Sequence, residues 1–600
     1  MSGILDDDDS ISMSQHAHVA DVARGSLRSC FGPGFLDGGV NDPPAPPSSR
    51  RHGKYFNDPL HGHIWMHPTY LDFIDTPAFQ RLRSLHQLGL TYYVYDGASH
   101  KRFEHCLGVS HIACSVAERI WMMQGSNKGY GVIPGDTVDI NRRDVLVTGL
   151  AGLCHDLGHG PFSHVFDREF LRAKGIVGWD HEDMSCKMFD HIRDEGHIDS
   201  ISDEEARMVK LMIPGGPEHR RQAPQEKRFL FDIVANYRNS IDVDKFDYLQ
   251  RDAQNCGVKV SCDFNRLIQF SKVIQNEICF KWSEYLNIAE LFHSRSIMHR
   301  KVYTHRKAKA IEFMVVDALL EADQTLKLTE KIHDPQDFIH LNDSILETIS
   351  SYGFFYPGTL PEEVQGPMRR AQAIVEQLRR RQLYRYVNEL MVPSHELQHY
   401  KPPSSAELCS HYHSDGEVSL DPSKVIVSVS EINWTKKGTN PIDNVGFFDS
   451  YDDTEKREVH AHQITSMMPS EFQERSLRVY SRDRNPKVCA ALNKAIDNYR
   501  RKQWGAKVEL ATPCKKSSCG EEGSLPSLPT AGLHFSQESL RPSSQALRAA
   551  QLDVIEEYGV HTQDGQEGNT EADGEGDAEV WVGGKCNKRR RSLQDQIDGA

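Results

Sequence analysis

Residues 151–167 read AGLCHDLGHGPFSHVFD. An apolar run predicted as a helix over 144–154 ends on adjacent His155 and Asp156, and His159 and His164 follow. Imidazole and carboxylate together suit a divalent ion: Zn, Fe, Mn or Mg. Successive helical residues point about 100° apart, so a His-Asp pair at a helix end can clasp one ion from two sides. His105, in RFEHCLGVSH (102–111), offers a third ligand from the preceding helix, and a carboxylate from a later helix completes a site with open positions. There a divalent ion lowers the pKa of a water toward ~7 beside a phosphoryl group. One His-Asp pair means little in a chain with 30 His. The weight comes from position, because these groups interrupt an apolar helix where unpaired polar atoms are costly to bury.

Two later helices fit the same purpose. In IDVDKFDYLQRD (241–252), Asp244, Tyr248 and Asp252 stand at i, i+4 and i+8 on one face, with Lys245 on its flank. In FHSRSIMHRKVYTHR (292–306), Arg295, His299 and Tyr303 repeat that spacing. Arg, His and Tyr make a poor core face but a good wall for an anion, since guanidinium binds phosphate oxygens and Tyr can stack on or hydrogen-bond a sugar or base.

Outward from these segments the pattern is mostly helical. Helices are predicted over 77–88 (Phe79, Leu82 and Leu85 on one face, Gly89 as the stop), 105–123, 181–192, 203–212 and 243–254, with one long stretch over 284–323 that lacks Gly and Pro. After about 395 the texture changes: 424–432, 445–448 and 477–480 read as strands and 486–502 as helix. The expectation is a mainly α protein. It comprises a disordered tail (1–52), a helical core (53–394), a smaller α/β lobe (395–504) and a second disordered tail (505–600). That tail holds a short amphipathic stretch (544–558) and the basic cluster Lys588–Arg591, which reads as a nuclear-import signal and predicts a nuclear protein with a cytoplasmic pool.

Composition removes other classes. The 600 residues are 38% hydrophobic and 26% charged, enough to build a core, and no apolar run approaches the ~18 residues of a membrane span. The opening MSGILDDDDS is acidic where a signal peptide would be basic, and the 13 Cys read as reduced thiols. A net charge of −15 argues against a surface coated in nucleic acid, although a local basic groove fits a single strand.

His105…His155-Asp156…Asp244 resembles the H…HD…D signature of the HD-domain metallophosphohydrolases. The longer strings NDPLHGHIWMHP (57–68), DTPAFQRLRSLHQLG (75–89), YDGASHKRFEHCLGVSH (95–111), AGLCHDLGHGPFSHVFD and IDVDKFDYLQRD resemble the SAM-and-HD-domain deoxynucleoside triphosphate triphosphohydrolases of vertebrates, over about 53–500. The resemblance implies a helical enzyme that cleaves a dNTP to deoxynucleoside and inorganic triphosphate. It implies control of dNTP pools and a part in antiviral restriction. The ion ligands it implies are His105, His155, Asp156 and Asp244. His159, His164 and His181, with Glu182 beside it, match residues over the triphosphate with acid/base roles. Arg102, Lys245, Tyr248 and Arg295 match triphosphate contacts, with His299 on the same wall. Gln87, Leu88, Asp252 and Tyr303 match residues around the deoxyribose, where a tight wall leaves no room for a 2′-OH. Water attacks the α-phosphorus, the 5′-oxygen leaves, and a His donates the proton, His164 being favoured over His181.

The resemblance further implies activation by GTP and dNTP, bound with Mg away from the active site, through assembly of a homotetramer. Asp75, Gln80 and Arg83 match a guanine-reading site. Lys54, Tyr55, Asn57, Val94, Tyr95, Arg266, Lys281, Asn287, His305, Arg381, Arg385 and Arg482 match the paired activator sites. Three departures stand out. The first 52 residues are too few for a SAM domain, Ser283 replaces a Lys that contacts activator phosphate, and Thr304 replaces a Gln. Thr512-Pro513-Cys514-Lys515-Lys516 fits a cyclin-dependent-type kinase target, with Arg381-Gln382-Leu383 as a docking motif. The competing readings are another HD-domain nucleotide phosphohydrolase, such as a monophosphatase or cyclic-nucleotide phosphodiesterase, and a nucleic-acid-binding protein on the same fold.

Overall fold

A computed structural model describes residues 52–125, 137–355, 362–413, 418–436, 438–457, 469–505 and 508–511. The tail segments 1–51 and 512–600, and with them Thr512 and Lys588–Arg591, lie outside the described residues.

The protein is mainly α. A hairpin of β1 (Lys54–Asp58) and β2 (Gly62–Met66) leads into α1 (Pro68–Ile74). The principal helices follow: α2 (Arg102–Gln124), α3 (Arg142–Cys154), α4 (His181–Glu195), α5 (Asp203–Met212), α6 (Val243–Cys256), α7 (Tyr285–Met298) and α8 (Arg306–Leu326). α2 and α3 pack along each other, and α6 lies across α2. Their starts are set locally. The Asn141 side chain accepts from the Arg143 and Asp144 amides at the head of α3. Ser202 and Glu205 form a capping box on α5, and Asp242 accepts from the Lys245 amide at the head of α6. The apolar faces merge into one core running from Ile64 to Tyr480.

Two predicted helices end earlier than their pattern. Over 77–88 the chain makes one short helix, Pro77–Gln80, then a 3-10 turn, Arg81–Ser84, and leaves the helical region at Leu85. Leu85 and Gln87 instead exchange backbone hydrogen bonds with Arg102 and His100, at 3.0 Å each. Phe79, Leu82 and Leu85 are still buried together, so the apolar period signalled burial rather than a continuous helix. The 284–323 stretch breaks as well. A π-turn, His299–Tyr303, follows α7, and α8 starts only at Arg306. The His299 carbonyl accepts both the Thr304 amide, 2.9 Å, and the Thr304 hydroxyl, 2.8 Å, which together close the wider turn.

The later residues build a three-stranded antiparallel sheet in the order β5 (Arg385–Met391), β8 (Gln473–Ser481), β6 (Val425–Asn433), backed by the helix Pro486–Trp504. The sheet therefore recruits chain from residue 385. β7 (Phe447–Phe448) is not on it. It runs parallel to β4 (Glu277–Lys281), which hairpins with β3 (Ser271–Ile274) on the helical core. Among the described residues no helix is long and apolar enough to cross a membrane.

Candidate metal centre and anion wall

His105 sits in the first turns of α2, His155 caps the C-terminus of α3, Asp156 follows it, and Asp244 lies in the first turn of α6. Three chain segments thus bring four side chains to one point. Asp244 Oδ1 is 3.1 Å from His105 Nε2 and 3.5 Å from His155 Nε2. Asp156 Oδ2 is 3.5 Å from His105 Nε2, and its Oδ1 is 3.4 Å from His155 Nε2. Donors around an ion bound at ~2.1 Å stand roughly 3–3.4 Å apart, the spacing found here.

The ring orientations fit that purpose. His105 Nδ1 lies 2.8 Å from Asp247 Oδ2, and His155 Nδ1 lies 2.8 Å from the Gly152 carbonyl. Both partners can only accept, so each neutral ring carries its proton on Nδ1 and turns a lone pair inward at Nε2. Both Nε2 atoms are buried and have no hydrogen-bond partner. A metal ion satisfies them, and the residues fit one.

The electrostatics agree. Burial pushes the His105 pKa down, but the nearby carboxylates of Asp244, Asp247 and Asp156 carry it up to about 10. Burial pushes Asp244 up, but the two imidazoles hold it well below the carboxylate range. The pocket therefore demands a cation beside its carboxylates, as a proton or as a metal ion. Arg102 pairs with Asp156, and with burial's opposing effect overcome, it and His155 hold that carboxyl low.

Beside this centre stands a second cluster, His159, His164 and His181. The His159 and His181 rings stack at 3.8 Å, and His164 meets both edge-on at 5.1 and 5.4 Å. Phe162 and Ser163 hold left-handed backbones, φ 60° and 58°, and swing His164 into place. Such strain collects at functional sites. Gly158 makes the loop possible, since a Cβ there would stand 2.1 Å from the His181 carbonyl. Asp167 Oδ2 accepts from Nδ1 of both His164 and His181, at 3.4 and 3.3 Å. Glu182 approaches His181 at 3.3 Å. Burial drives His159 far below the usual imidazole range and pushes His164 in the same direction. The His164 side chain nevertheless keeps 47% of its surface open. Dense protein around a group with an open flank is the setting of a cleft wall.

The anion wall assembles across α6 and α7. Tyr303 donates to Asp252 Oδ2, 2.8 Å, and His100 Nε2 contacts the other oxygen at 2.7 Å. Tyr248 and His299 pack against the Tyr303 ring. Lys245 pairs with Asp242, and Arg295 donates to the Asn433 carbonyl while its Nε has no partner. Gln87 is buried with its Oε1 unpaired, and Leu88 is half-buried against the core. Tyr303 reaches Asp252 from the end of the π-turn that follows α7.

The residues matched to activator sites fall into several separate groups within one chain. Lys54, Tyr55 and Asn57 lie exposed on β1. Arg83 donates to Gln80 at 2.8 Å and stacks 3.5 Å over Phe103, with Asp75 exposed close by in sequence. Tyr95 meets the His305 ring and Val94 lies beside it in sequence. Arg381 donates to the Tyr93 carbonyl, 2.9 Å. Arg266 pairs with Glu284, Lys281 sits over Phe270, and Asn287 bonds to Asp263. Arg385 opens β5, and Arg482 clasps Asp317. Ser283 donates to Glu284, 3.1 Å.

Sequence reading passed over Asp247, Arg251, His61, Asp58, Asp167 and His100. Asp167 carried a signal, standing three residues beyond His164. Asp247 and Arg251 lay inside a quoted motif, on the flank of α6 beside Asp244 rather than at the i, i+4, i+8 positions.

The HD domain family model matches residues 102–252, the span from Arg102 to Asp252 that holds the whole metal centre. The deoxynucleoside triphosphate triphosphohydrolase SAMHD1 homolog of Dictyostelium discoideum is 38% identical over 454 residues, 75% of this chain and 82% of its own. The SAMHD1 enzymes of Bos taurus and Homo sapiens are 35% and 34% identical, covering 73% and 77% of this chain and 76% and 77% of theirs. Identity at this level over about three quarters of the chain means that it belongs to the SAMHD1 family of deoxynucleoside triphosphate triphosphohydrolases.

Proposed function

We propose that this protein hydrolyses a deoxynucleoside triphosphate to deoxynucleoside and inorganic triphosphate at the site between α2, α3, α6 and α7. The convergence of His105, His155, Asp156 and Asp244, with two buried Nε2 lone pairs turned inward, carries the reading. His105, His155, Asp156 and Asp244 would hold a divalent ion, which would supply Lewis-acid polarisation of a phosphoryl oxygen and a lowered pKa for a water. The chain's own groups do the rest. Arg102, Lys245 and Arg295 neutralise triphosphate oxygens, and Tyr303 with Asp252 closes the wall against the sugar. His164 is the proposed proton donor to the leaving 5′-oxygen. It gains its proton when phosphate charge lies beside it, and Asp167 fixes its Nδ1 so that Nε2 faces the reaction. The test is product identity: dATP incubated with protein and divalent metal should release inorganic triphosphate and no monophosphate. Chelation should stop the reaction and metal should restore it. Release of dAMP would instead favour another HD-domain phosphohydrolase.

Tyr303→Phe leaves Asp252 bonded to His100 alone. It is expected to raise the KM for dATP about three- to tenfold, the worth of one hydrogen bond, and to narrow the preference over ATP. An unchanged KM and preference would remove Tyr303 from the sugar wall.

Activation by GTP and dNTP through a homotetramer belongs to the same proposal. Its support is the scatter of the matched residues over separate surface patches, which pairing of copies would close into nucleotide sites. GTP is expected to raise both the tetramer fraction and the turnover, and Asp75→Ala to weaken both. Full activity of a monomer without guanine nucleotide would refute this. Ser283→Lys, adding a cation for phosphate, is expected to lower the activator concentration needed, read by sedimentation.

A further inference from the structure

We infer that the turn of the β1–β2 hairpin is part of the support of the metal centre and acts on His105 through Asp247. The inference rests on the reading of His105 as a metal ligand.

Asp247 has no exposed side-chain surface, and among the described residues its side-chain partners are all oriented donors. Arg251 grips it with Nε and Nη2, both at 2.8 Å. His105 Nδ1 stands 2.8 Å from Oδ2, and His61 Nε2 stands 2.7 Å from Oδ1. A two-pronged guanidinium fixes the plane of the carboxylate, and that plane fixes where His105 must place Nδ1–H. The ring then has one orientation and one tautomer, with Nε2 toward Asp244 and Asp156.

The chain of contacts runs on to the hairpin. Arg251, itself 1% exposed, donates through Nη1 to Asp58 Oδ2, 2.9 Å. The other Asp58 oxygen accepts the Leu60 and His61 amides, both at 2.9 Å, and so shapes the turn between β1 and β2. The turn thus reaches Asp247 twice, directly through His61 and through Asp58 and Arg251. α2 also makes room for it. A Cβ at Gly108 would lie 2.0 Å from Asp247 Oδ1, so only glycine lets α6 come this close to the helix that carries His105.

Groups that orient a metal-bound imidazole tune its affinity for the ion. Coupling is also reciprocal: whatever the turn does for the metal, the metal does for the turn. The hairpin that holds this turn exposes Lys54, Tyr55 and Asn57 on its first strand.

The test uses the full chain with Co2+ alone as the probe. Affinity is read by chelator competition, ligand geometry by the visible spectrum at saturation, and the turn by amide hydrogen exchange over 58–62. His105→Ala is expected to lose Co2+ at this site. Asp247→Asn is expected to weaken binding roughly 10–100-fold and to alter the saturated spectrum. His61→Ala, which leaves the Arg251 clasp in place, should weaken it less, with helical circular dichroism unchanged. Co2+ should slow exchange at Leu60 and His61 in the wild type. Wild-type affinity and spectrum in His61→Ala, or turn amides indifferent to Co2+, would overturn the inference while His105→Ala still loses the ion. That arm stands even if Asp247→Asn does not fold. Unaltered binding by His105→Ala would instead overturn the metal reading beneath it.

Discussion

His155→Ala combined with Asp156→Ala is expected to reduce dNTP hydrolysis by about 10³-fold or more while leaving the helices in place. Removing both donors leaves His105 Nε2 and Asp244 facing a space without its cation, and the several kcal/mol of charge stabilisation supplied there is lost. The fold should survive. His155 lies at the end of α3, whose apolar face from Val145 to Leu153 is buried against α2 and does not depend on the ion. Turnover and circular dichroism measured on one preparation decide it, with bound metal counted alongside. Near-normal turnover by the double variant would exclude this centre from the reaction.

The largest effect on stability is expected at Arg251. Among the described residues it is the one guanidinium that pairs with both Asp58 and Asp247, and all three side chains are almost fully buried. Replacing it by Met keeps much of the volume but leaves two carboxylates in the interior with only imidazoles and backbone amides. Breaking a buried pair in this way costs about 3–5 kcal/mol. Burial opposes the Asp247 charge, while Arg251 first and then His105 and His61 hold its pKa well below the ordinary range. Without Arg251 that hold is weaker. Urea unfolding followed through helical circular dichroism should show the loss, and a change within about 1 kcal/mol would show that the His contacts suffice. Arg251→Lys should restore part of the stability, because Lys supplies the charge without the two-pronged geometry.

Much of this protein could be read from its letters. The His155-Asp156 pair was visible because it broke an apolar helix, where polar groups need a reason to be buried. α5 follows its predicted bounds because Ser202 and Glu205 cap it within four residues, a contact that sequence neighbours settle between themselves. The Asp244, Tyr248, Asp252 spacing marked a working face because i, i+4 periodicity is a property of one helix alone. Tertiary structure decided what depends on partners far along the chain. Leu85 left the helix its pattern predicted because the backbones of His100 and Arg102 offered the segment around it hydrogen-bond partners. Tyr303 reaches Asp252 through a π-turn that no local period announces. Asp247 carried no signal of its own on α6. Its role comes from Arg251 on the same helix, from His105 and a close approach at Gly108 on α2, and from His61 at a turn 186 residues away. Sequence fixes which groups share a helix face, because that geometry repeats every few residues. Only packing decides which buried charge meets which, because a carboxylate or imidazole in the interior takes its partner from whatever segment the core brings beside it.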